Sequence, residues 1–191
     1  MKVALGLKAH SGWAALVGVG ERDGDIAMTD RRRIELVEEG WQKQPYHAAE
    51  HLQAQTARDT VTRGINAARQ GAVRELRAAI ARAGEQHHEV RACGVLVGSP
   101  MPGWSIDEIL AVHFRMHKAE GALFRDALLH AAVVCGVRPV PIPEKQAVLD
   151  RSLLATIAAL GRSAGPPWGK DQKDAALAAL IALSNRGAST S

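Results

Sequence analysis

The chain has 191 residues, 47% of them hydrophobic and 23% charged, a balance that indicates a folded globular protein and excludes disordered and collagen-like classes. Its 24 Lys and Arg side chains exceed its 20 Asp and Glu side chains, so the formal net charge of +4 permits a polyanionic partner without requiring one. Neither cysteine suggests a structural disulfide, and no stretch approaches the roughly 18 apolar residues of a membrane span. We therefore expect a cytoplasmic protein without a membrane partner, folded as a single domain over residues 1–184 with a flexible tail over 185–191.

The N-terminal segment is predicted to form three antiparallel strands. Apolar residues alternate over 3–7, and apolar or β-branched runs follow over 13–19 and 26–37. Short turns that contain glycine separate these runs, at 9–12 and 21–25. The opening of the chain is therefore predicted to be an antiparallel meander.

The period of the pattern then changes to that of a helix. One apolar stripe runs over residues 46–84, and Gly64 and Gly71 are candidate positions for a break in this long helix. A short apolar run over 90–97, ended by glycine, serine and proline, is typical of a buried parallel strand. These two elements predict a crossover from the meander to a parallel strand.

The second half of the chain repeats the alternation of helix and strand. Ser105 and Glu108 have the spacing of a capping box, which is predicted to open a second helix over 105–133. Two prolines place the last strand, over 137–142, at an edge of the sheet, because proline cannot donate a hydrogen bond to a neighbouring strand. Two further helices are predicted, over 144–160 and 171–183.

The order of these elements and three motifs carry a family resemblance. The motifs are the opening VALGL and SGWA at 3–7 and 11–14, the segment KAEGAL at 118–123, and the closing KDAALAAL at 173–180. Together they resemble the ribonuclease H-like superfamily, and in particular its Holliday-junction resolvases of the RuvC type. The resemblance implies an α/β fold with a mixed five-stranded sheet, in which a three-stranded antiparallel meander and two parallel strands are flanked by helices.

Nucleases of this superfamily hold two divalent metal ions between carboxylates of the first strand, the fourth strand and the last helix. The resemblance places Lys8 at the first-strand position, and the fourth strand offers no carboxylate over 92–97. Asp174 matches a family acid and, together with Asp171, is interpreted as the remnant of the catalytic set. Lys8 is then available for a structural ion pair with Asp174.

A degenerate acidic site predicts a protein without nuclease activity and without a cofactor, whose role is to associate with nucleic acid or with another protein. The alternative is an active endonuclease that uses a rearranged set of acids, such as Asp171, Asp174 and Glu120, with Mg²⁺ or Mn²⁺. Fold alone does not separate these two functions.

Histidines and glutamates form two further clusters on predicted helices. Their members are His113, His117 and Glu120 at i, i+4 and i+7, and His47, Glu50 and His51 at the start of the first long helix. Such spacing can present two imidazoles and a carboxylate to one metal ion, and a zinc site is conceivable if the two helices face each other. Neither cluster follows a recognised zinc signature, so exposed helical faces are the favoured interpretation and no bound metal is expected.

Arginines are concentrated on the first long helix. They are Arg58, Arg63, Arg69, Arg74, Arg77 and Arg82. Because guanidinium groups suit phosphate geometry, Arg63, Arg74 and Arg77 are the candidates for contact with DNA or RNA, with the arginines at 31–33 as a second candidate. A solvated outer helical face is the favoured interpretation of the same pattern.

Small residues on the second helix predict close approach of another helix. They are Ala122, Ala127, Ala131 and Ala132. Together with the resemblance to dimeric resolvases, they predict a homodimer.

Overall fold

A mixed sheet of five strands forms the centre of the fold in the computed structural model, which describes residues 1–147 and 151–184. The strands are β1 (Lys2–His10), β2 (Trp13–Arg22), β3 (Asp25–Glu35), β4 (Glu89–Val97) and β5 (Arg138–Pro143). Their order is β3-β2-β1-β4-β5; the first three are antiparallel, and β1, β4 and β5 run parallel to one another. The predicted meander, the two parallel strands and the edge position of the proline-bearing strand are confirmed.

Helices cover both faces of this sheet. They are α1 (Pro45–Ala49), α2 (Ala54–Glu85), α3 (Ile106–Leu110), α4 (His113–Val134), α5 (Glu144–Ala147), α6 (Arg151–Ala164) and α7 (Lys170–Ser184), and a short 3-10 helix (Gly40–Lys43) precedes α1. Helices α2 and α4 share one apolar cluster with Leu5 and Val95 of the sheet. Helices α6 and α7 share a second cluster with Ala4 and Val17, whose side chains leave the opposite face. The fold therefore has three layers, with the sheet between two layers of helix.

Two predicted helices are each divided in the structure. The helix predicted over 46–84 is α1 followed by α2, and the helix predicted over 105–133 is α3 followed by α4. The capping box is confirmed at the start of α3, where the Glu108 N–H donates to Ser105 Oγ over 3.2 Å and the Ser105 N–H donates to Glu108 Oε2 over 2.8 Å. The capping box therefore opens the short helix α3, and a separate helix follows it.

Gly64 and Gly71 do not break α2, so that expectation is wrong. Both are buried where another segment packs directly on the helix. A Cβ atom added to Gly71 would overlap the carbonyl oxygen of Leu36, and one added to Gly64 would overlap the ring of Pro45. Because these glycines have no side chain, Pro45 and Leu36 can pack directly against the backbone of α2.

The last helix, α7, lies unusually close to the middle of the sheet. A Cβ atom at Gly6 of β1 would overlap the carbonyl oxygen of Ala175, and one at Gly94 of β4 would overlap that of Ala178. Most residues of α7 from Ala175 onward are buried alanines and leucines, which the short separation requires. This packing places the first turn of α7 beside the carboxyl end of β1.

The small residues of α4 pack within the chain. Ala127, Ala131 and Ala132 are buried in the cluster that joins α2 and α4 to the sheet, and Ala122 is half-buried. Three of the four small residues are therefore used for packing inside one chain, which removes this part of the argument for a homodimer and leaves the part that rests on the resemblance. The homodimer itself stays a prediction.

No helix within the described part of the chain is both long and apolar enough to span a bilayer. The helix predicted over 144–160 corresponds to α5 and α6, and its residues 148–150 lie outside the described residues. The predicted tail over 185–191 lies outside them as well.

Candidate functional site

The candidate site lies at the carboxyl end of β1, on the face of the sheet that carries α7. Successive side chains of a strand point to opposite faces, and Leu5 and Leu7 face α2 and α4. Ala4 faces α7, and the same alternation brings Lys8 and His10 to the α7 face. The first-strand position that the resemblance gives to a catalytic acid is therefore occupied by a lysine that points into the expected site.

The Lys8 ammonium is held by a carboxylate that follows the last strand. Lys8 Nζ donates to Glu144 Oε1 over 2.7 Å, and the Lys8 side chain is only 17% exposed. This hydrogen bond, together with the positive charges of Lys8, Arg125 and Lys170, lowers the pKa of Glu144 below its ordinary value. The hypothesis of a Lys8–Asp174 pair is wrong, because Asp174 accepts from Lys170 one helical turn away, over 2.5 Å.

Asp171 lies beside the imidazole at the end of β1. His10 Nε2 is 3.0 Å from Asp171 Oδ1. The His10 ring stacks on Trp13 with the ring centroids 4.2 Å apart and the planes within 10°, and the Arg33 guanidinium lies 4.0 Å from the Trp13 ring centroid. The stack holds the imidazole in place next to the carboxylate.

The residues present do not fit the two divalent ions that the superfamily implies. Glu144, Asp171 and Asp174 each have a basic group within 3.0 Å of a carboxylate oxygen. Within residues 1–147 and 151–184, no three carboxylates bring their oxygens within 4.8 Å of one another. Leu7 of β1 pairs with Val95 of β4, so the residue of β4 that lies beside Lys8 is Leu96. Leu96 is apolar and is buried against the helices of the α7 face. A two-metal site needs converging free carboxylates, and the described residues supply none.

A cavity of about 330 Å³ lies next to this network of ion pairs. His10, Glu120, Arg125 and Glu144 contribute to its lining. The Arg125 guanidinium donates through Nε to the carbonyl oxygen of Gly121 over 2.6 Å, which keeps it at the cavity wall. Glu120, the third acid of the rearranged set, is nearly buried and bonded to His47 on α1, so it is not grouped with Asp171 or Asp174.

Glu120 does not join His113 and His117 in a metal-ligand group as its helical spacing suggests. It accepts from His47 Nδ1 over 2.6 Å, and the group of three potential ligands that the described residues do form is His47, His113 and His117. Sequence reasoning placed His47 in a separate cluster, because the approach of α1 to α4 depends on tertiary packing.

Arginines of α2 line a depression of about 480 Å³ on the other side of the sheet. The structure brings together Arg74 and Arg77 and adds Arg69, and His130 of α4 completes the rim. Arg63 lies about three turns toward the start of α2, where its guanidinium is 5.5 Å from the Trp41 ring centroid. Residues 69 and 77 are about two helical turns apart and so share one face of α2, which is the sequence signal that could have added Arg69 to the arginines of the depression.

The arginines at 31–33 are engaged in contacts within the chain. Arg31 donates through Nη1 to the carbonyl oxygens of Gly165 and Pro167, over 2.8 and 3.0 Å. Arg32 pairs with Asp30 over 2.8 Å and Arg33 with Glu35 over 2.5 Å. These contacts hold β3 and the loop before α7, so the depression on α2 is the stronger candidate for phosphate contact.

The fold is that of a RuvC resolvase. The structure of Thermus thermophilus RuvC in complex with a Holliday junction substrate matches with a TM-score of 0.51 at 12% identity, covering 93% of this chain and 90% of that chain. A further Thermus thermophilus RuvC structure matches with a TM-score of 0.45 at 12% identity, covering 93% and 91%. No protein-family profile and no curated protein matches the sequence. At this identity the likeness establishes the RuvC-type, ribonuclease H-like fold alone, which confirms the predicted fold class.

Proposed function

We propose that this chain is a RuvC-fold protein that binds nucleic acid through the arginines of α2 and has no nuclease activity. The observation that carries the proposal is the ion pair between Lys8 and Glu144, which puts a partly buried ammonium at the first-strand position of the expected metal site. An ammonium there repels divalent cations and cannot generate a metal-bound hydroxide. Lys170 and Arg125 add positive charge around the same carboxylates.

Nucleic-acid binding is supported by the arginine depression and by the known partner of the structural neighbour. That neighbour is described as a complex with a Holliday junction substrate. Arg69, Arg74 and Arg77 are exposed around one depression, so their guanidinium groups are accessible to consecutive phosphates. The Arg74 guanidinium also lies 3.2 Å from a carboxylate oxygen of Glu75 and 3.7 Å from one of Glu38, so we expect Arg74 to contribute less to phosphate binding than Arg69 and Arg77. Contacts of this kind read the backbone and carry no sequence information.

A titration with labelled nucleic acid tests this binding. Fluorescence anisotropy is measured with a four-way DNA junction, linear duplex DNA and RNA, at several salt concentrations. We expect weak binding without sequence preference that falls steeply with salt, because each neutralised phosphate releases counterions. Replacing Arg69, Arg74 and Arg77 by Ala is expected to lower affinity and to reduce the magnitude of the salt slope by about 2–3, at about 0.9 for each lost phosphate contact.

The matched control replaces Arg22, Arg91 and Arg162, exposed arginines elsewhere on the surface, by Ala. It removes the same charge, so it should retain most of the affinity if the depression is the binding surface. An equal loss in both triple variants would show that only net charge matters. No association with any of the three nucleic acids at low salt would end the nucleic-acid role and leave a role in protein interaction.

The competing function is a nuclease that depends on Mg²⁺ or Mn²⁺ and uses a rearranged acidic site. It is favoured by the position of Asp171 and Asp174 in the first turns of α7, beside the carboxyl end of β1. It would require these carboxylates to leave His10 and Lys170, and Glu120 to leave His47. Three side-chain contacts, one of them the ion pair between Lys170 and Asp174, would have to break together, so we favour the inactive protein.

A further inference from the structure

Three imidazoles meet where α1 contacts α4. His47 lies in the middle of α1, and His113 and His117 lie on successive turns at the start of α4. Each offers one potential ligand nitrogen, and these three atoms lie within 4.8 Å of one another. The ring centroids are 4.7 to 5.2 Å apart, so all three rings converge on one point.

Two carboxylates hold the imidazoles from behind. Glu120 is buried, with a side chain only 6% exposed; it accepts from His47 Nδ1 over 2.6 Å and from the His47 backbone N–H over 3.1 Å. Glu50 accepts from His113 Nδ1 over 3.1 Å. An ionised carboxylate only accepts hydrogen bonds, so Nδ1 is the donor in His47 and in His113, and Nε2 is the ring nitrogen of each that is left to face a metal ion. A carboxylate behind a histidine is the arrangement that orients metal-ligating imidazoles and raises their basicity.

The separation of the ring nitrogens suits a tetrahedral ion. His113 Nε2 and His117 Nε2 are 3.1 Å apart. Two nitrogens bound to one Zn²⁺ at its usual bond length are separated by the edge of the coordination tetrahedron, about 3.3 Å. Three imidazoles with one position left for water form a donor set suited to Zn²⁺, whereas Mg²⁺ and Ca²⁺ prefer oxygen ligands.

We propose that His47, His113 and His117 bind one divalent transition-metal ion, with Zn²⁺ the best-suited ion, and that Glu120 and Glu50 position two of these ligands. The ion would join α1 to the start of α4. Its fourth position is accessible, because the His113 side chain is 60% exposed. His117 also borders a cavity of about 800 Å³ lined by the loop after β4, which gives a ligand of the ion room to enter. This proposal does not depend on nucleic-acid binding, and its test is separate.

The test uses the full chain without a histidine tag, freed of metal by a chelator that is then removed. Zn²⁺ is titrated by calorimetry, and Co²⁺ is added separately to record the visible absorption of a tetrahedral site. We expect one equivalent of Zn²⁺ per chain, a tetrahedral Co²⁺ spectrum and a higher unfolding temperature in the presence of Zn²⁺.

Variants assign the ligands. His113→Ala and His117→Ala change exposed residues, so both proteins should fold, and each should lose stoichiometric Zn²⁺ binding and the Co²⁺ spectrum. Glu120→Gln removes a positioning carboxylate and should weaken Zn²⁺ by about 10–100-fold while keeping the stoichiometry. The matched control is His51→Ala, which removes an exposed imidazole just after α1 that is not in the group.

Absence of stoichiometric Zn²⁺ binding by the unmodified chain would overturn the proposal. So would unchanged Zn²⁺ affinity in the double variant with His113 and His117 both replaced by Ala. In either case His113 and His117 would be a hydrogen-bonded pair, in which one Nε2–H donates to the other Nε2.

Discussion

Lys8 brings a positive charge to the end of β1, where the resemblance implies an acid. Lys8 is mostly buried, and a buried ammonium is costly unless a carboxylate pairs with it. Glu144 is that partner, and it connects the end of β1 to the residue after β5. Asp171 and Asp174 have their own basic neighbours, so each of these carboxylates lies beside a basic group of the chain itself.

Replacing Glu144 by Gln tests how much the ion pair with Lys8 contributes to the free energy of unfolding. Nearly half of the Glu144 side chain is exposed, so solvent screening limits the expected loss in the free energy of unfolding to about 1 kcal/mol or less at pH 7. The folded pKa of Glu144 lies below its unfolded value of about 4.3. The contribution is therefore fully present above that pH and is lost as the pH falls through the folded pKa. Urea unfolding of both proteins between pH 7 and pH 3 measures this difference.

The control for this experiment is Glu85→Gln, at the exposed end of α2, for which the structure records no ion pair within the described residues. It should change the free energy of unfolding little at any pH in the range. If Glu144→Gln costs the same free energy at pH 3 as at pH 7, the loss comes from packing and the pair with Lys8 contributes nothing.

The expectation of a degenerate site comes from the sequence and the resemblance together, because they place Lys8 at the first-strand position and find no carboxylate over 92–97. The partner of Lys8 was not predictable from spacing, since Glu144 is 136 positions away and meets it only across the folded sheet. The approach of His47 to His113 and His117 was not predictable from spacing either, because the three residues lie on two helices that meet only in the folded chain. Local spacing identified the two histidines on α4, whereas only the packing of α1 added the third.

At the scale of secondary-structure elements, the buried glycines of α2 allow neighbouring segments to pack directly on the helix backbone. Periodicity predicted the type and approximate ends of most helices and strands, because each has a long apolar pattern. It did not predict that Gly71 lies against the backbone of Leu36, since sequence alone does not distinguish a glycine that breaks a helix from one that allows another segment to approach. Helix α2 is continuous for 32 residues, and its buried glycines, Gly64 and Gly71, pack against neighbouring segments.

Two glycine-to-alanine changes in α2 separate these roles. Gly71→Ala should lower the free energy of unfolding by about 1–3 kcal/mol, because the new methyl group meets the carbonyl oxygen of Leu36 and the backbone must move. In Gly84→Ala the methyl group meets no atom within 4 Å, so alanine should be neutral or stabilising by up to about 1 kcal/mol. Chemical unfolding of both variants measures the difference. A neutral Gly71→Ala would contradict the close contact.

At the scale of the whole molecule, the two candidate surfaces lie on opposite sides of the sheet. The arginines of α2 belong to the layer formed by α2 and α4, whereas Asp171 and Asp174 belong to α7 on the other face. Nucleic acid held by the arginines would contact the layer of α2 and α4 rather than the face that carries α7. This separation supports a binding role without cleavage, and it could not be predicted before the layers were known, because charge patterns along one helix do not tell which face of a sheet the helix covers.

The most direct test of the account is a cleavage assay. Purified protein is incubated with a four-way DNA junction, linear DNA and RNA in Mg²⁺ and in Mn²⁺, alongside Asp174→Asn as the matched variant. The account predicts no cleavage of any substrate by either protein, because the carboxylates at the end of β1 are paired with Lys8, His10 and Lys170. Cleavage by the unmodified protein that disappears in Asp174→Asn would contradict it and establish a working metal site in this RuvC fold.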